Sequence, residues 1–120
     1  MYIFSFEKLE VWKESKSLCK KIYALTEEFP SSEKFGLTSQ LRRASVSIPS
    51  NLAEGTSRIT NKDKAHYTTI SFSSIMEVLN QLIIAKELGF ISEEKYNNLR
   101  KDIYKITNML NALRKAQLNS

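Results

Sequence analysis

The chain carries little turn material, with three glycines and two prolines in 120 residues. That scarcity excludes an all-β fold, whose short strands need a turn about every 10 residues, and points to a few long elements. The one cysteine, Cys19, excludes an internal disulfide and a zinc cage of the CxxC type. It is expected as a buried helix residue, with a reactive thiol as the alternative. The one histidine, His66, has no glutamate three residues before it, so the Glu-x-x-His pairs of di-metal bundles are missing. No GxGxxG, P-loop, nucleophile elbow or HExxH occurs, and a serine or cysteine nucleophile would find no evident base. The expectation is a protein that is not an enzyme and needs no metal or cofactor. No uninterrupted apolar run approaches 18 residues, so no membrane partner is expected. The start, MYIFSFEK, lacks the basic region of a signal peptide, which fits a cytoplasmic protein.

Charged residues (26%) and hydrophobic residues (42%) stand at ordinary values for a globular chain. A chain of this length suits one domain, 1–120, able to bury about two thirds of its unfolded surface. Helical periodicity accounts for nearly all of it. A first helix is expected from about Glu7 to Glu28, capped by Ser5, with Val11, Leu18, Ile22, Leu25 and Phe29 on one seam and Leu9, Trp12, Lys16, Cys19, Tyr23 and Thr26 on another. Pro30 stops it. A third helix begins at the Thr60/Asp63 capping pair and ends at Gly89, with Phe90 covering the end; a fourth starts at Ser92. Its seam, Tyr96, Leu99, Ile103, Ile106, Leu110 and Leu113, alternates steps of three and four as bundle helices do. Short connections make neighbours antiparallel. The predicted fold is all-α, an up-down-up-down four-helix bundle.

The second helix, residues 36–55, is unusual. Leu37, Leu41, Ala44, Ile48 and Leu52 form one face, yet Pro49 removes an amide donor and crowds the Ser45 carbonyl, a cost of roughly 3 kcal/mol or more in a helix interior. Beside that face runs a polar row, Gln40, Arg43, Ser47, Asn51 and Glu54, and Gly55 is expected to close the helix in a left-handed conformation. Arg43 and Glu54 are 11 residues apart, about 16 Å along a helix, so each needs a partner elsewhere. A structural or interface network is the favoured reading of the row, and a ligand site the alternative.

Two further features bear on partners. Between Ala65 and Ala85 the third helix has Glu77 as its single charge, with Phe72, Met76, Leu79 and Ile83 on one face and Tyr67, Ile70, Val78, Ala85 and Leu88 on another. A bundle uses one stripe per helix, so the second stripe is covered either by the first helix or by other copies of the chain, the latter being favoured. The formal charge of +5 lies wholly in residues 95–120, where six Lys/Arg face Asp102 alone. With Arg100 at 0° and about 100° per residue, Arg100, Lys101, Tyr104, Lys105 and Lys115 fall within about 0–140°, opposite the apolar seam. Asn97, Asn108 and Asn111 share the sector. A basic, amide-rich stripe with one aromatic suits phosphate contacts and an occasional stacked base, and its ordinary alternative is a solvated helix face.

Phe6-x-x-Leu9-x-Val11-Trp12, Tyr23, Phe29-Pro30, Glu33, Gly36-Leu37-Thr38-Ser39-Gln40-Leu41-Arg42-Arg43-Ala44 and Ser47-Ile48-Pro49-Ser50-Asn51-Leu52-Ala53-Glu54-Gly55 together resemble the four-helix-bundle family of bacterial proteins encoded within intervening sequences of 23S ribosomal RNA genes. The resemblance implies a small bundle assembled into a pentameric ring. A similar architecture belongs to the accessory protein of diversity-generating retroelements, which is associated with nucleic acid, so RNA or DNA joins the chain itself and a protein partner among the expected partners. The family's third helix has Gly-Ser before its glutamate, whereas Ser73-Ser74 stand here before Ile75-Met76-Glu77.

Overall fold

The computed structural model describes all 120 residues, Met1–Ser120. Four helices carry the fold: α1 (Glu10–Thr26), α2 (Leu37–Thr56), α3 (Asn61–Glu87) and α4 (Glu93–Leu118). Single 3-10 turns at Ser5–Lys8 and Ser31–Glu33 precede α1 and α2. Cross-helix bonds fix the directions. Ser45 reaches Cys19 and Arg42 reaches Thr26; Ser47 meets Ser74 and Gln81 meets Gln40; Thr68 meets Gln117 and Arg114 meets Thr69; Lys21 meets Asp102 and Lys105 meets Glu14. In each pair rising numbers on one helix match falling numbers on the next, so the bundle is up-down-up-down. Each helix packs on its chain neighbours, α1 also packs on α4, and α1 and α3 stand diagonally opposite.

The core takes one seam from each helix: Val11, Leu18, Ile22 and Leu25; Leu41, Ala44, Ile48 and Leu52; Ile75, Val78, Leu82 and Ala85; Tyr96, Leu99, Ile103, Ile106 and Leu110. On α3 this seam runs between the two predicted faces. Val78 and Ala85 are core, Phe72, Leu79 and Ile83 are half-buried flank, and Ile84 and Leu88 remain 40% and 56% exposed. The diagonal position of α1 keeps it from covering them. By length and composition α3 is long and apolar enough to cross a membrane, which the expectation from uninterrupted runs did not anticipate, and in this fold one side of it supplies core.

The ends of the helices show where local chemistry decides. Thr60 Oγ1 accepts from the Asp63 amide at 3.1 Å and Ser92 Oγ from the Lys95 amide at 3.2 Å, as predicted. Gly89 has φ +82°, and the amides of Gly89 and Phe90 donate to the carbonyls of Lys86 and Ala85, a Schellman closure. Three expectations are corrected. Ser5 caps nothing: the Phe4 amide donates to Glu7 Oε2 at 2.8 Å and the chain makes a 3-10 turn. That turn lays Phe6 edge-on against Trp12, 5.1 Å between centroids, and α1 starts only at Glu10. At its other end α1 stops at Thr26, before Glu28. Gly55 is helical and buried within α2, because a Cβ there would sit 2.8 Å from the Tyr67 Cβ. Its smallness lets α2 approach α3, and no left-handed residue is involved.

Candidate nucleic-acid interface

Helix α4 lies with Tyr96, Leu99, Ile103, Ile106 and Leu110 in the core, so its cations are divided between two flanks by the helical period alone. On the flank beside α1 they are neutralised. Lys95 Nζ meets Glu28 Oε2 at 2.7 Å, Lys21 meets Asp102 at 2.8 Å, and Lys105 meets Glu14 Oε1 at 3.0 Å. Lys105, predicted as part of a free stripe, is therefore engaged with α1, a partner that periodicity within α4 cannot reveal. The cleft of about 450 Å³ between α1 and α4 has the Lys95–Glu28 and Lys21–Asp102 pairs in its walls and Leu25 and Leu99 among its lining.

The outer flank differs. Arg100 donates through Nη1 to the Tyr96 hydroxyl at 2.6 Å, with its guanidinium 5.9 Å from that ring. Arg100, Lys101, Arg114 and Lys115 form no ion pair with any carboxylate of the chain. Tyr104, 70% exposed, stands among them. Asn97, Arg100, Lys101 and Tyr104 line a shallow cleft of about 460 Å³. The structure thus brings Arg100, Lys101 and Tyr104 together, with Lys115 three to four turns further along the same helix, and separates Lys105 from them. Sequence reasoning left out Arg114. It donates through Nε to Thr69 Oγ1 at 2.9 Å, and no spacing within α4 signals a contact with α3.

The polar row of α2 borders α3. Ser47 and Ser74 hydroxyls are 2.8 Å apart, Asn51 Nδ2 donates to Ser47, and Gln81 Nε2 donates to Gln40 and to Glu77. Gln81 is 4% exposed and its Oε1 has no donor. Arg43 and Glu54 are exposed and make no ion pair within the chain. Pro49 is half-buried inside the continuous α2, and Ser71 Oγ donates to the adjacent Ile48 carbonyl at 2.9 Å. Arg42, next to this row, pins α1. Its Nε donates to Thr26 Oγ1 at 2.8 Å, its Nη2 to the Tyr23 carbonyl and to Glu27, and its guanidinium lies 4.6 Å from the Tyr23 ring. No group of three potential metal-ligating side chains occurs, and exposed His66 stands edge-on to Tyr67 at 6.0 Å.

A family model described as 23S rRNA-intervening sequence protein matches residues 7–112. The chain belongs to that family. Its bundle is similar to the crystal structure of a protein of unknown function, from the S23 ribosomal protein family, of Bacteroides thetaiotaomicron. The TM-score is 0.81 at 22% identity, over 88% of this chain and 95% of that one. No curated protein matches the chain.

In this member of the 23S rRNA-intervening sequence family, Gly36–Gly55 make up most of α2, which packs against α1 and α3. Glu33 is part of the same system: its Oε1 accepts from the Leu37 amide at 3.1 Å and caps α2, where Gly36 offers no side chain. Of the four α4 cations without an ion pair, Arg114 and Lys115 fall beyond the residues that the family model matches.

Proposed function

We propose that the chain is a non-enzymatic homo-oligomer, a pentameric ring in the cytoplasm, that binds RNA through the outer face of α4. The observation that carries this reading is the set of four cations without carboxylate partners, Arg100, Lys101, Arg114 and Lys115, arranged about exposed Tyr104. Cations free of internal pairs release counterions when they meet phosphates, which is the main source of sequence-independent affinity. RNA is favoured over DNA by the family's link with 23S ribosomal RNA. A ring repeats the face and converts weak single contacts into avidity. Arg43 and Glu54, unpaired within the chain, together with exposed Ile84 and Leu88, supply the contacts between copies.

A mobility-shift titration with structured RNA tests it. Binding should fall steeply between about 50 and 200 mM salt. Lys101→Glu with Lys115→Glu should weaken it at least tenfold without changing the oligomer mass. Lys105 is a poor choice for this reversal, because a glutamate there would face Glu14. Absence of binding at low salt, or indifference to the double reversal, would leave a protein-interaction scaffold in its place.

A further inference from the structure

A further cleft lies between the N-terminal half of α3 and the C-terminal half of α4. It measures about 300 Å³, with Phe72 and Leu110 in its lining and Thr69, Ser73, Asn111 and Arg114 as its polar groups. No carboxylate lines it. Thr69 Oγ1 accepts a hydrogen bond from Arg114 Nε at 2.9 Å, which orients the guanidinium while both Nη groups keep their hydrogens free of any intrachain acceptor. The Thr69 hydroxyl spends its own hydrogen on the Ala65 carbonyl at 3.1 Å, so the donors left to a ligand are the Ser73 hydroxyl, the Asn111 amide and the fork of the guanidinium, a set that matches a phosphodiester, for which Arg is the better cation because its donors are held in a plane. Arg114 and Arg100 are 14 residues apart, about 21 Å along the helix at 1.5 Å per residue. Tyr104 stands between them.

Resting on the RNA reading above, we infer that the ligand is an unpaired strand, which runs along α4 with a phosphate in the Thr69–Ser73–Asn111–Arg114 cleft, a base against the Tyr104 ring, and further phosphates at Arg100 and Lys101. The aromatic decides between strand types. In an A-form duplex the bases are stacked inward and the deep major groove is too narrow for a helix face to enter, so a duplex would use the cations and leave Tyr104 idle. An unpaired strand can turn a base outward onto an exposed ring, and stacking tolerates any sequence because every base has a π-face. The Asn97 amide, which lines the same cleft as Tyr104, and Asn108, one turn further along α4, suit base edges and sugar hydroxyls.

The test compares a 20-nucleotide RNA of non-self-complementary mixed sequence with the same strand annealed to its complement, by fluorescence anisotropy at low salt, using the full-length protein. The single strand should bind about tenfold tighter than the duplex. Tyr104→Ala should cost about tenfold on the single strand and leave duplex binding within twofold, while Tyr104→Phe, which keeps the ring, should behave as the unaltered protein. Arg114→Ala should weaken the single strand several-fold and lower its salt slope by about 1. Circular dichroism checks that each variant keeps its helices. Duplex binding equal to or tighter than single-strand binding, or a silent Tyr104→Ala, would overturn the inference and leave the RNA reading intact. Absence of binding to either RNA would remove both.

Discussion

A methyl group on Gly55 would meet the Tyr67 Cβ at 2.8 Å, closer than packed carbon atoms tolerate. Both atoms belong to helix-proximal positions, so relief requires the α2 and α3 backbones to move apart. Overpacking of this kind costs about 1–3 kcal/mol, whereas glycine-to-alanine in a free helix gains up to about 1 kcal/mol. Gly55→Ala should therefore lower stability by up to about 2 kcal/mol, read as a lower urea midpoint at unchanged slope; a raised midpoint would show that α2 and α3 do not need the close approach. The residue itself stands out in the sequence, since glycine is scarce, but its purpose does not. A helix-closing glycine and a helix-packing one look alike until the partner is known, and the partner, Tyr67, is 12 residues away on another helix. Arg42 and Arg114 were hidden for the same reason. Each acts on a neighbouring helix, Arg42 at the end of α1 and Arg114 at Thr69, and a single-helix period carries no trace of either contact.

At the scale of elements, legibility followed the range of the interaction. The Thr60 and Ser92 caps and the Gly89 closure span three to five residues, and each stands where the sequence puts it. The start of α1 did not follow its local cap, because seating Phe6 on Trp12 outweighed one serine hydroxyl. The α4 stripe was legible as a period and misjudged in extent, since the ladder Glu14–Lys105, Asp102–Lys21 and Glu28–Lys95 ties its α1 flank. That ladder yields a prediction. Exposed ion pairs contribute about 0–1 kcal/mol, so Glu14→Gln should barely change the urea midpoint. It frees Lys105 and removes a negative charge near the RNA path, so RNA affinity should rise about two- to fivefold and the salt slope should steepen by about 1. Unchanged affinity in Glu14→Gln would confine the interface to the cations nearer α3.

For the whole molecule, the outer surface of α2 and α3 has the composition of a surface that meets protein. Ile84 and Leu88 are exposed, and Arg43 and Glu54 are charged without ion-pair partners. A ring of five joins two different patches of neighbouring copies, since a two-fold contact closes at two. This face would be one of them, and the α4 edge stays open for RNA. The protein should then elute at a multiple of its 13.8 kDa mass, near five, in size-exclusion chromatography with light scattering. Ile84→Lys with Leu88→Lys puts two charges where the contact needs apolar area, at positions outside the core. Mass should fall to that of the monomer while helical circular dichroism is kept, and RNA binding should weaken by more than tenfold as avidity is lost. If the double variant keeps its full mass, the contact lies on another face; if it dissociates yet binds RNA undiminished, each bundle binds alone and the ring serves some other end.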